Sequence, residues 1–168
     1  MNKKGLAINQ VFVFMVAGLI FALIMIFGYQ AISGFIDTSE DVLFTKFKTS
    51  IEADVQKIHT DFGSIRKKTY ILPSIYEEVC FVNMDKPYSE DCNVGLLACD
   101  TWKTSEGYNS VDQNIFLKPS ASAIKVAPIT LTDVKDNPLD ALCVKAIDGA
   151  FTIILEGKGD HAVISPIS

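Results

Sequence analysis

The sequence predicts an α+β chain in which a long N-terminal helix, apolar at first and amphipathic after, packs on a small antiparallel β-sheet domain. Three observations predict it. No charged residue stands between Gly5 and Ile36. Apolar residues then recur at helical spacing from Leu43 to Ile65, and beyond Pro73 the apolar segments become short, β-branched and aromatic. The chain has 168 residues, enough for one domain with an accessory element. The expected divisions are a basic leader at 1–5, a membrane-spanning helix at 6–36, an amphipathic helix continuing over 37–70, and a β-rich domain at 71–168.

The apolar rod comes first. Residues 11–27, VFVFMVAGLIFALIMIF, form an unbroken apolar run containing one glycine. With its flanks it reaches the ~20 residues that cross a hydrocarbon core of about 30 Å. At a few tenths of a kcal/mol per Leu, Ile, Phe or Val, insertion is favoured by roughly several kcal/mol. The run is apolar all round, unlike a helix lying in the membrane surface. Lys3 and Lys4 precede it, and Asp37, Glu40 and Asp41 follow it. The positive-inside rule therefore places the N-terminus in the cytoplasm and residues 37–168 outside, as a single-pass membrane protein. A secretory signal would be shorter and would end at a small-residue cleavage site. The following YQAISGF offers only Ala31, Ser33 and Gly34 for that, so a retained anchor is favoured over a signal cleaved there.

The leader itself is Met-Asn-Lys-Lys-Gly-Leu, a short basic stretch ending in Gly5 and followed at once by the apolar helix. It resembles the class III signal of type IV pilin-like proteins, most of all the archaeal form with its Lys-Lys-Gly leader. The resemblance covers about thirty residues, and Lys3, Lys4 and Gly5 carry it. It implies that a prepilin peptidase cuts between Gly5 and Leu6, leaving Leu6 as the mature N-terminus. It further implies partners in the form of identical or related pilin-like subunits, whose apolar helices replace the lipid bilayer in a filament core. Many bacterial pilins carry a glutamate at mature position five. Here that position is Gln10, which forms hydrogen bonds but cannot neutralise the new amino group.

Residues 38–68 read as the second part of the helix. Leu43, Phe47, Ile51, Val55, Ile58, Phe62 and Ile65 follow one another at steps of four and three, tracing one apolar stripe. Thr38 or Ser39 with Glu40 and Asp41 suits a helix start, and Arg66, Lys67 and Lys68 suit its end. Two plans fit: one continuous helix through Gly28 and Gly34, or a break at or just after Gly34. Beyond Pro73, strands are expected at 78–84, 115–118, 123–131 and 143–147. A tight turn at Asp148-Gly149 is expected to join that last strand to AFTIILEG as a hairpin, with a final short strand at 162–165. The expected sheet has about four or five strands and covers the helical stripe. Residues 85–112 read as a long surface excursion containing Tyr88, Trp102 and Tyr108.

The chemistry the residues suggest is structural. All four cysteines lie in the part placed outside the membrane, where disulfides persist. Three connectivities are possible. The favoured one pairs Cys92 with Cys99 across a short loop and Cys80 with Cys143 between strands, the latter stabilising by roughly 3–4 kcal/mol. The cysteine spacing lacks the paired knuckles of a four-cysteine zinc site. The two histidines, His59 and His161, read as a boundary residue and a turn residue. No catalytic, cofactor-binding or metal-binding residues are expected, and no enzyme motif is present. Residues 37–168 hold thirteen of the fifteen Lys and Arg and all twenty Asp and Glu, a net −7. That acidic balance argues against a nucleic-acid partner. The expectation is a structural subunit, major or minor, of an extracellular filament. Its alternative is a monomeric membrane-anchored binding domain that is neither processed nor polymerised.

Overall fold

The computed structural model describes residues 4–88, 92, 94–105, 113–119 and 123–167, without the side chains of 4–9, 33–38 and 105. The chain divides into two units, Met1–Asp41 and Val42–Ser168. The architecture is mixed α+β, with a long N-terminal helix and a small, mostly antiparallel β domain.

Helix α1 runs Lys4–His59 without interruption at Gly28 or Gly34, so the single-helix plan is the one found. In the first unit the side chains of residues 11–27 are all exposed. In the second unit the stripe behaves as an amphipathic pattern demands: Phe47, Ile51, Val55 and Ile58 are buried in the main core. The stripe stops there. Phe62 is 80% exposed and Ile65 67% exposed, and residues 65–71 form a strand rather than the expected end of the helix. The physical reason is the turn between them. Gly63 adopts a positive φ of 76°, and the Gly159 amide donates to the last-turn carbonyl of His59 at 2.9 Å.

Among the described residues eight strands form two sheets: β1 (Ile65–Ile71), β2 (Glu78–Val82), β3 (Ile115–Lys118), β4 (Ile129–Thr132), β5 (Pro138–Leu139), β6 (Ala141–Lys145), β7 (Ala150–Gly157) and β8 (Ala162–Pro166). The first sheet has the order β1-β7-β8-β4-β5, and its β4–β8 pair is parallel. The second has the order β3-β2-β6 and is antiparallel throughout. The single sheet of four or five strands is thus corrected to two sheets. The expected strand at 123–131 is also shorter. Ile124 makes one isolated bridge to Ile115, and β4 begins only after Pro128, which has no amide hydrogen for a ladder.

The hairpin at Asp148-Gly149 is half right. Both turn residues have positive φ, 52° and 70°, and Ile147 and Ala150 exchange backbone bonds at 2.8 and 3.0 Å. The strands then part: β6 pairs with β2, while β7 pairs with β1 and β8. The amide of Leu72 donates to the Gly149 carbonyl at 2.7 Å, and that of Ala146 to the Glu77 carbonyl at 2.8 Å. The turn is a corner between two sheets.

Two cores result. The larger joins the α1 stripe to the inner faces of both sheets through Phe151, Ile153 and Leu155 of β7, Val79 and Phe81 of β2, and Ile164 of β8. The smaller lies on the other face of β2, where Cys80, Val82 and Phe116 meet Val94, Ala98 and Trp102. Those last two belong to α2 (Leu96–Ser105), a helix inside the expected surface excursion. Being covered on both faces explains why β2 reads as continuous apolar sequence while β7 alternates.

Candidate functional site

The most distinctive surface is the apolar part of α1. The segment Gln10–Ile32 has 23 residues and is long and apolar enough to cross a membrane, and the residues of its apolar window are not buried. At about 1.5 Å per residue it extends for roughly 34 Å, against about 30 Å of hydrocarbon. Val11, Phe12, Phe14, Met15, Phe21 and Phe27 are among its exposed side chains. Burying an exposed Phe or Leu gains about 1.5–3 kcal/mol, so a surface of this extent is unfavourable in water. Gln10 stands exposed at the N-terminal end of the segment. Lys4, Gly5 and Leu6 lie in the first turns of α1, and Lys3 lies outside the described residues.

Both expected disulfides are present. Cys80 and Cys143 face each other directly across β2 and β6, with Cα atoms 4.0 Å apart and a sequence separation of 63. They occupy a register position without backbone bonds, flanked by bonded pairs, where side chains approach most closely. Cys92 and Cys99 lie 5.8 Å apart at the Cα atoms and tie the start of α2 to the preceding loop. The carboxylate of Glu78 lies near the first disulfide, where Lys118 Nζ donates to Glu78 Oε2 at 2.9 Å and reaches 4.0 Å from Cys143 Sγ. The two sulfurs bond to each other and Glu78 is held by an ammonium, so the trio forms a closed structural cluster rather than a set of open ligands.

The remaining residues singled out in the sequence take structural places. His59 Nδ1 donates to the Gln56 carbonyl at 2.7 Å within the last turn of α1. His161 Nδ1 lies 2.6 Å from Asp160 Oδ1 on the β7–β8 turn, and that bond holds the fully exposed Asp160 carboxyl below its usual range. Trp102 is buried, donates its indole N–H to the Lys86 carbonyl at 2.9 Å, and meets Tyr88 edge-on. It therefore anchors the excursion to its own sheet; Tyr108 lies outside the described residues.

The residues sequence reasoning misplaced are Arg66, Lys67 and Lys68. They belong to β1, at one border of the first sheet, and not to a helix end. Arg66 pairs with Asp61 at 3.2 Å and Lys68 with Asp54 at 2.9 Å. Asp54 also accepts the Tyr70 hydroxyl at 3.0 Å; burial first, and then the Asp54 charge, push the Tyr70 phenol well above its ordinary range. The signal for a strand was present in the β-branched Ile65, Thr69 and Ile71 at even spacing.

Comparison of the chain with protein-family models, with curated proteins and with solved structures gave no match.

Proposed function

We propose that this chain is a structural subunit, major or minor, of an extracellular type IV pilus-like filament, assembled through α1 after cleavage between Gly5 and Leu6. The observation that carries the reading is the split use of one helix. Phe47, Ile51, Val55 and Ile58 of α1 are built into the body's core, while the apolar side chains of residues 11–27 are exposed. The Lys3-Lys4-Gly5 leader supports it, because its cleavage site precedes the apolar segment and leaves the helix whole. Before the cut, two ammonium groups hold the helix end at the cytoplasmic face. Removing them leaves one amino group as the only charge ahead of residue 37, and the helix is free to exchange lipid for the helices of neighbouring subunits. The two disulfides suit a body held in an oxidising compartment.

One observation favours a second reading, a membrane-anchored binding domain that stays monomeric. Gln10 stands where a glutamate would neutralise the mature amino group, so no salt bridge can guide docking of one subunit on another at that position.

Mass spectrometry of the membrane-extracted protein separates the two. The filament reading expects Leu6 as the first residue, loss of that cut in Gly5→Val, and shear-released polymers containing the chain. A chain still beginning at Met1 in cells with an active prepilin peptidase would overturn it.

A further inference from the structure

We propose that the open edge of β1 receives an extended, acidic peptide segment of a partner chain as an additional strand of the first sheet. The proposal is independent of the filament reading. Strand β1 is the outermost strand of its sheet, and among the described residues no strand lies beyond it. Its ladder to β7 follows a fixed parity. The Gly157 amide donates to the Ser64 carbonyl at 2.9 Å, and the Leu72 amide to the Gly149 carbonyl at 2.7 Å. Even-numbered residues of β1 therefore turn their backbone groups to β7. Ile65, Lys67, Thr69 and Ile71 turn theirs to the open side. Seven residues with such an edge form a template for strand addition.

The side chains decide which strand fits. Ile65 and Ile71 are 67% and 62% exposed, and Lys67 stands between them on the same face. Ile154 of β7 lies beside Lys67, and the Thr69 and Thr152 hydroxyls bond at 2.9 Å on that face. Arg66 and Lys68 point to the other face, each already paired with an aspartate, whereas Lys67 makes no ion pair among the described residues. The edge thus offers an apolar–cationic–apolar row in a chain whose residues 37–168 carry a net −7. A second copy of β1 is the wrong complement. Two-fold antiparallel pairing centred on Lys67 or Lys68 opposes like charges, which destabilise a ladder. Pairing centred on Thr69 sets Lys67 against Ile71 and leaves it without a carboxylate. An acidic residue flanked by β-branched ones answers Lys67 with a carboxylate and Ile65 and Ile71 with apolar contact.

The test uses the full chain in non-ionic detergent micelles and two capped peptides, acetyl-TVEVEVT-amide and acetyl-TVKVKVT-amide. Amide exchange is resolved residue by residue by NMR. The acidic peptide is expected to slow exchange at Ile65, Lys67, Thr69 and Ile71 by about tenfold or more, and to bind at least about tenfold more tightly than the lysine peptide at low salt. Lys67→Glu is expected to invert that preference. Thr69→Pro removes an outward amide without removing a bond to β7, and is expected to abolish protection while Ile153 and Ile164 stay protected. If Thr69→Pro unfolds the body, the charge inversion in Lys67→Glu decides. Equal protection by the two peptides, protection away from the edge, or concentration-dependent protection of these four amides with no peptide present would overturn the proposal.

Discussion

The α-carbon of Gly157 sits against the end of α1 so closely that a Cβ placed on it would stand 2.1 Å from the carbonyl oxygen of Ile58, and 2.3 Å from that of Asp61. Both neighbours are backbone and cannot swing aside. The same contact is stitched by the Gly63 amide donating to the Gly157 carbonyl at 2.8 Å and by the Gly157 amide donating to the Ser64 carbonyl at 2.9 Å. This is where the last turn of α1 is locked to the first sheet within the second unit.

Gly157→Ala is therefore expected to destabilise the body by about 3 kcal/mol or more, since overpacking against immovable backbone cannot relax through rotamers. The chain has one tryptophan, Trp102, buried in the smaller core, so its fluorescence reports unfolding directly. The urea midpoint should fall sharply relative to the parent chain. A shift smaller than that of an ordinary surface substitution would show that the contact yields.

The two disulfides should contribute unequally. Cys80–Cys143 links positions at a sequence separation of 63 and Cys92–Cys99 positions at a separation of 7. In the loop-entropy treatment these are worth about 4 and about 2.5 kcal/mol. Replacing Cys80 and Cys143 by alanine also opens space between the two cores, because Cys80 is fully buried. The Cys80→Ala/Cys143→Ala chain should unfold at clearly lower urea than the Cys92→Ala/Cys99→Ala chain. The reverse order would place the stability in the α2 loop.

Tyr70 gives the body a dependence on alkaline pH. Its phenol, buried between Phe47 and Phe151 and bonded to Asp54, ionises well above the ordinary value of about 10. The native state keeps a proton that the unfolded chain releases. The contribution is thus fully present below about pH 10 and is lost progressively as pH rises beyond it. Tyr70→Phe should cost about 1–2 kcal/mol at pH 8, where the charged hydrogen bond is intact, and should flatten the fall in stability between pH 9 and 11. Melting curves at pH 8, 10 and 11 for both chains check the sign.

What was legible in the sequence follows from which forces are local. The stripe from Phe47 to Ile58 and the Asp148-Gly149 turn were readable because helical spacing and positive φ are properties of neighbouring residues. The Cys80–Cys143 pair was readable because the strand pattern around each cysteine was strong. The helix end was misread because Phe62 and Ile65 happen to continue the spacing, although both face solvent. The split of β6 from β7 into two sheets was not readable, since alternation says which face is buried and nothing about which strand lies alongside. Helix α2 hid among Asp, Gly and Asn, although Val94, Ala98 and Trp102 at steps of four mark its buried side. For the apolar segment the sequence carried nearly the whole reading, because membrane-spanning length and lack of charge need no tertiary context.

That independence gives the final prediction. Ile20 and Ile24 lie one turn apart on exposed apolar surface, in the unit none of whose described residues belongs to either core. An arginine near the middle of a spanning helix costs about 2.5–3.5 kcal/mol on the insertion scale, and each replaced isoleucine removes a further few tenths. Ile20→Arg alone should lower the fraction of the chain that resists alkaline extraction from membranes. Ile20→Arg with Ile24→Arg should offset most of the several kcal/mol that the apolar run supplies, and release the protein. The urea midpoint read by Trp102 should not move in either variant, since substitutions remote from a core add no strain to it. Retention of the double variant in the membrane fraction would mean that something other than the hydrophobicity of residues 11–27 holds the chain there. A shifted midpoint would mean that the apolar segment and the body are energetically coupled.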